Sequence, residues 1–248
     1  MRYRINLCYD GSAFFGWQRQ NDAPTVQQAL EEALSTLLKE DTDVVGAGRT
    51  DTAVNASYYV AHFDSRDGLD CADLRRRLNA ILPEQIAVLG LEAVQDEFHA
   101  RFGAVSRTYR YYVHRTKNPF LRSGSYLCAY PVLDFEAMNR AAQLLVGRHD
   151  FSCFEKTGAD NRTSICTITE ARWSRVDDGD DTRWVFTVTA DRFLRNMVRA
   201  IVGTLIEVGR GKRSPGSVAD LLAKGDRCAA GESVPGYALY LSDIRYQP

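Results

Sequence analysis

An α+β fold with a largely antiparallel sheet is predicted for this 248-residue chain by three observations. Short segments alternate apolar and polar residues with period two. Single stretches of helical apolar period separate them. Two strand-like segments also flank an acid-rich turn, Asp177-Asp178-Gly179-Asp180-Asp181, as the arms of a hairpin would.

Tyr3, Ile5, Leu7 and Tyr9 alternate with Arg2, Arg4, Asn6 and Cys8, so the chain opens with a strand. Thr25 is placed to cap a helix that follows Pro24, with Gln28 closing a capping box. Val26, Ala29, Leu30, Ala33, Leu34, Leu37 and Leu38 form its apolar face. Val44 and Val45 suggest a short strand that leads into the loop Gly46-Ala-Gly-Arg-Thr-Asp51. Residues 58–63 read as a strand, 70–82 as a helix with a basic face, and 86–93 as a strand. The mixture then repeats. Residues 108–114 form a strand with Tyr109, Tyr111 and Val113 on one face, and Asp134 caps a helix. Residues 165–173 and 183–190 are the hairpin arms. Leu194, Met197, Val198, Ile201, Val202, Leu205 and Ile206 follow i, i+3, i+4 spacing, so a helix is expected from about residue 194, ended by Gly209 or Gly211. On it Arg199 lies one turn after Arg195, beside the apolar stripe. Ser214 and Pro215 start another helix as N-cap and N1, and residues 239–246 close the chain as a strand. The two series meet near residue 100 without a Pro/Gly linker. Two similar lobes are therefore expected, 1–102 and 103–248, sharing a cleft or one continuous sheet.

Hydrophobic residues make up 45% and charged residues 25% of the chain, the usual mixture for a soluble globular protein. Apolar runs are too short for a membrane-spanning helix, and the N-terminus enters a strand pattern without the apolar core of a signal peptide. The six cysteines include no C-x-x-C pair and the four histidines have no ligand-like spacing. Reduced, mostly buried thiols in a cytoplasmic protein are expected, with no metal and no disulfide scaffold.

A formal net charge of -1 argues at first against a nucleic-acid partner. The charge is segregated, however. Residues 98–133 hold six basic residues (Arg101, Arg107, Arg110, Arg115, Lys117, Arg122) and no acidic one. Residues 192–213 hold six more against Glu207 alone, which leaves a large acidic surplus elsewhere. Phe102, Tyr109, Tyr111, Tyr112, Phe120, Tyr126 and Tyr130 interleave with the first basic segment. Cations for phosphates and rings for unstacked bases are the chemistry of RNA contact. On this feature alone, ordinary strand aromatics with solvated arginines are the commoner explanation.

The loop Gly46-Ala-Gly48-Arg-Thr-Asp51 lacks the third glycine of a dinucleotide fingerprint and the Lys-Ser/Thr of a phosphate loop. It is a glycine-rich turn presenting Arg49 and Asp51, and spacing alone favours a structural ion pair or a turn-capping Asp there. Motifs of serine hydrolases, zinc peptidases and zinc deaminases are missing.

Several longer motifs are more specific. Tyr9-Asp-Gly-Ser-Ala-Phe-Phe-Gly-Trp-Gln-Arg-Gln20 with Thr25-Val-Gln27 resembles the opening of the TruA family of tRNA pseudouridine synthases. The loop ending at Asp51 resembles that family's catalytic loop. Phe98-His-Ala-Arg-Phe102 followed by Ser106-Arg-Thr-Tyr-Arg-Tyr111 resembles its tyrosine motif. Phe193-Leu-Arg-Asn-Met-Val-Arg199-Ala-Ile-Val-Gly203 with Glu207-Val-Gly209 resembles its helical motif, and Ala238-Leu-Tyr-Leu241 its last strand. The matches keep family order and span nearly the whole chain. Three positions depart from the pattern: Ala53 stands where the family has Gly, Asn55 where it has His, and Ala238 where Gly is common. Ala53 forfeits easy access to positive φ, and Asn55 keeps hydrogen bonding without a histidine's charge.

The resemblance implies a pseudouridine-synthase-like fold with a central RNA-binding cleft. It also implies isomerisation of uridine to pseudouridine at positions 38, 39 and 40 of the tRNA anticodon arm, by a homodimer and without cofactor. Asp51 would be the catalytic carboxylate, acting as nucleophile at C1′ or as base at the ribose. Arg199 would supply the cation that keeps it ionised in a dry pocket. Tyr109 would stack on the uracil and handle the C5 proton, and Leu239 would wall the base. Arg49 would fill the space left by the flipped nucleotide or hold its phosphate. Two other readings compete: an RNA-binding protein inactivated through Ala53 and Asn55, and a small-molecule enzyme using Asp51 and Arg49.

Overall fold

A computed structural model describes residues 1–158, 162–178 and 181–247. It divides into two compact units, Met1–Val105 with Tyr240–Pro248, and Ser106–Leu239. The closing strand thus returns to the first unit, a long-range association that sequence order does not show.

In the first unit, β1 (Arg2–Tyr9) lies between β3 (Asn55–Asp64) and β4 (Ile86–Val94), antiparallel to both. The other edge of β3 is shared. There β10 (Leu239–Tyr246) pairs in parallel at Asn55 and Ala56, while β2 (Val44–Gly46) pairs antiparallel at Ala61 to Phe63. Tyr3, Ile5, Leu7 and Tyr9 are buried, as their alternation predicts. The α-helices are α1 (Val26–Leu38) and α2 (Cys71–Ile81). Thr25 and Asp70 accept the N–H groups of Gln28 and Asp73 and so fix both helix starts. Only half of the expected capping box forms, because the Gln28 amide turns outward to Glu32 at 2.8 Å.

In the second unit, β9 (Asp181–Ala190) lies between β5 (Ala104–His114) and β8 (Ile165–Asp178), antiparallel to both, and β7 (Gly147–Asp150) extends beyond β8. A two-residue β6 (Tyr126–Leu127) pairs with β5 in parallel. The strands run further than their apolar cores suggested, because a ladder continues wherever a partner backbone does. The tip of the acid-rich turn, at Gly179 and Asp180, lies outside the described residues.

Among the described residues, three α-helices complete this unit: α3 (Phe135–Gln143), α4 (Met197–Gly209) and α5 (Ser217–Lys224). Asp134 caps α3 as expected. The start of α4 differs from the expectation. Asn196 takes φ 66°, which breaks the helical path, so Leu194 and Arg195 precede the helix although Leu194 is buried like its stripe. Arg199 is therefore in the first turn of α4, and Arg195 is not on the helix at all. The helix ends at Gly209, and Gly211 at φ 71° turns the chain away. Helix α5 starts two residues beyond Pro215, because the carbonyls of Ser214 and Pro215 accept Ser217 N–H and Val218 N–H in a tighter preceding turn.

Candidate active site

The loop carrying Arg49 and Asp51 leaves β2 and runs back along β3. Ala47 N–H donates to Val60 C=O at 2.9 Å, and the buried Tyr59 hydroxyl donates to Gly48 C=O. Thr50 points inward, its hydroxyl 2.9 Å from that of Tyr9, while its carbonyl accepts Trp17 N–H at 3.3 Å. Tyr59 and Trp17 stack at 4.1 Å between ring centroids, with Tyr9 tilted against both. Three buried rings therefore form the floor of the loop. Close approach explains the glycines. A Cβ on Gly46 would stand 2.2 Å from the Tyr59 hydroxyl, and one on Gly16 would stand 2.3 Å from Thr50 O.

Past Asp51, its carbonyl accepts Val54 N–H at 3.1 Å and Phe14 C=O accepts Ala53 N–H at 3.2 Å. Ala53 sits at φ 60°. The left-handed turn is thus retained without glycine. Asn55 is buried, and its Oδ1 accepts Gly11 N–H at 2.8 Å. Gly11 also lies so close to this turn that a Cβ would be 2.1 Å from Val54 O. The polar partner at position 55 therefore ties the opening motif to the loop without needing charge. Asp51 is left half-buried and Arg49 exposed on a loop whose backbone is bonded on both sides.

The other proposed site residues belong to the second unit. Tyr109 is half-buried on β5, opposite Val188, with its ring edge-on to Phe193 at 5.1 Å. Tyr111, two residues on, is fully buried and donates to Pro235 C=O at 3.1 Å, and burial raises its pKa. These two tyrosines on one face thus have different environments, which alternation alone could not separate. Arg199 is half-buried and clasps the segment before β10: its Nε donates to Val234 C=O at 2.7 Å, and Val234 N–H donates to Arg199 C=O at 3.2 Å. Leu239 is buried where that segment becomes β10, and Ala238 beside it is completely buried.

The structure brings Arg49 and Asp51 together on one loop and gathers Arg199 with the 234–239 segment. Sequence reasoning missed the supporting roles of Trp17, Tyr59 and Val234. For Trp17 the signal was present, since it lies inside the opening motif. For Tyr59 and Val234 no local signal exists.

Among the described residues, no group of three or more His, Cys, Asp or Glu side chains is placed to hold a metal ion. No helix there is long and apolar enough to cross a membrane. The cysteines are free, and burial pushes Cys128, Cys153 and Cys166 up to about 12, so these thiols are poor nucleophiles.

Comparison with known proteins bears on these features together. The chain is 50% identical over 245 residues to tRNA pseudouridine synthase A of Bacteroides thetaiotaomicron, covering 99% of this chain and 90% of that protein. It is 48% identical to tRNA pseudouridine synthase A of Porphyromonas gingivalis, covering 99% and 97%. With the enzyme of that name from Bacillus licheniformis it shares 41% identity, covering 99% of each. A family model described as tRNA pseudouridine synthase matches residues 7–103 and 141–247, a span that includes the Asp51 loop, α4 and β10. By these matches over nearly its whole length, the chain belongs to the tRNA pseudouridine synthase family.

Proposed function

We propose that this protein converts uridine to pseudouridine at positions 38, 39 and 40 of the tRNA anticodon stem-loop, with Asp51 as its catalytic carboxylate. The reaction is an isomerisation: the bond from C1′ to N1 breaks, the uracil turns, a bond from C1′ to C5 forms, the C5 proton is lost and N1 takes up a proton, so the composition is unchanged. Nothing is oxidised or hydrolysed overall, so the protein's own side chains suffice and no cofactor is invoked.

A stem uridine must first leave the stack, at a cost of a few kcal/mol. Arg49, exposed two residues before Asp51, takes the vacated space or holds the flipped phosphate. Asp51 then acts at the ribose, as nucleophile at C1′ or as base. Removal from water disfavours a carboxylate, and Arg199 supplies the compensating charge. Tyr109 stacks on the uracil and handles the C5 proton, and Leu239 provides an apolar wall. A homodimer working in the cytoplasm completes the reading.

The observation that carries this reading is the immobilised Asp51 loop. Its carboxylate is presented half-exposed from a backbone bonded to Phe14 and Trp17 and floored by three aromatic rings. The retained turn at Ala53 and the Asn55–Gly11 bond also favour a working loop over a relic. Incubating the protein with unmodified tRNA and mapping pseudouridine by chemical labelling and primer extension tests it. Asp51→Asn keeps the shape of the side chain and should lower turnover by more than about a thousand-fold while tRNA binding persists. Full turnover in that variant would remove Asp51 from the chemistry. Binding without any pseudouridine from the parent protein would favour a non-catalytic RNA-binding role.

A further inference from the structure

Phe102 is 78% exposed, yet it belongs to a turn fastened by several hydrogen bonds. Nδ1 of His99 accepts two backbone N–H groups, those of Arg101 and Phe102, each at 3.1 Å. His99 C=O accepts Gly103 N–H at 2.9 Å, and a Cβ on Gly103 would stand 2.9 Å from that same oxygen. Beneath the turn, Nδ1 of the buried His62 accepts Ala100 N–H at 3.2 Å, and Tyr246 donates its hydroxyl to Ala100 C=O at 2.7 Å. Both histidines must be neutral to accept these bonds. Burial and the nearby Arg2 guanidinium lower both pKa values, that of His62 to about 4. The imidazole of His99 lies 4.4 Å behind the Phe102 ring, and the Arg101 guanidinium stands over it at 5.5 Å.

An exposed apolar ring stabilises no core, and a mobile loop tip would have served to keep it soluble. Here hydrogen bonds and two rings hold it in one orientation toward water, beside a cation. The chemistry that such a pair recognises is an unstacked base next to a phosphate; Asp96 and Glu97 precede the turn, but residues 98–105 of the same unit carry no acidic side chain. The turn rests on His62 of β3, and that anchor sets it apart from the chemistry. His62 lies seven residues along β3 from Asn55, the end nearest Asp51, and at about 3.3 Å per residue that is roughly 23 Å.

We propose that Phe102, backed by His99 and flanked by Arg101, is a stacking platform for an unpaired base of the tRNA, separate from the uridine being modified. The proposal rests on the family reading only in taking tRNA as the RNA.

The test compares Phe102→Ala and Phe102→Trp with the parent protein, using unmodified full-length tRNA. The ring is largely exposed, so both variants are expected to fold, and the thermal unfolding midpoint checks this. Phe102→Ala should weaken tRNA binding about 5- to 100-fold, with the loss in Kd and KM rather than in kcat, and Phe102→Trp should restore it. Because stacking is uncharged, the salt dependence of binding should keep its slope. Unchanged affinity in Phe102→Ala would overturn the platform while leaving pseudouridine formation intact. A shift in oligomeric state with normal affinity would overturn it too and mark the ring as a protein contact. If the parent protein makes no pseudouridine but Phe102→Ala still loses tRNA, the platform stands and the proposed activity fails.

Discussion

Ala53 holds a conformation that favours glycine, two residues after the proposed catalytic carboxylate. At φ 60° an alanine costs roughly 1–2 kcal/mol relative to its preferred regions. The loop holds it there through Phe14 C=O, Thr50 and the Gly11–Asn55 bond. Two opposing effects follow for Ala53→Gly. Relief of the left-handed cost stabilises the folded state, and greater freedom of the unfolded chain offsets it, so urea unfolding should change by less than about 1 kcal/mol. Turnover should be retained. Ala53→Val meets the same φ with a branched side chain and should lose about 1–3 kcal/mol. A valine variant as stable as the parent would mean that the loop relaxes away from this geometry. The sequence alone identified position 53 as unusual, because a missing glycine is visible in a motif. It could not show that the turn persists, since that depends on Phe14 and Gly11, some 40 residues away.

The helices that could be placed accurately are those with a side-chain cap. Thr25, Asp70 and Asp134 each bond an N–H of the first turn, and α1, α2 and α3 begin where those residues say. Helix α4 has no side-chain cap and starts after a left-handed Asn196, so periodicity alone put its beginning too early. Short β6 and β7 lack enough residues to alternate, and the pairing of β10 with β3 joins segments far apart in the chain. What the helical motif encodes beyond period is a contact. A Cβ on Gly203 would stand 1.7 Å from Glu232 O, and one on Gly231 would stand 2.8 Å from Thr204 N. Segment 231–234 therefore lies directly on α4, where Gly231 N–H donates to Thr204 Oγ1 and Arg199 holds Val234. Gly203→Ala must push the two apart. The expected outcome is a loss of about 3 kcal/mol in urea unfolding, together with reduced turnover as Arg199 loses its Val234 anchor. An alanine variant with parental stability and activity would show that this packing is not what positions Arg199.

A net charge of -1 describes the protein poorly, because its cations differ in whether they are already matched. On α2, Arg76 and Arg77 both face Asp73, and Arg75 donates to Leu89 C=O, so this basic helix face is partly neutralised within the fold. Arg213 is paired with Glu207. By contrast, Arg110, Lys117 and Arg122 are exposed along the stretch that lacks acidic residues. Counterion release makes each phosphate neutralised by such a cation contribute about -0.7 to -0.9 to the slope of log affinity against log salt. If four to eight are engaged, tRNA affinity should fall on the order of 10²- to 10⁴-fold between 50 and 200 mM salt, despite the nearly neutral chain. Arg110→Ala should reduce that slope by about 1, whereas Arg75→Ala should leave it unchanged. The same slope in both variants would mean that segregation of charge along the chain does not mark the RNA-binding surface. A slope near zero in the parent protein would remove the electrostatic part of the argument altogether. In that case stacking at rings such as Phe102 would have to carry the affinity that the exposed arginines do not.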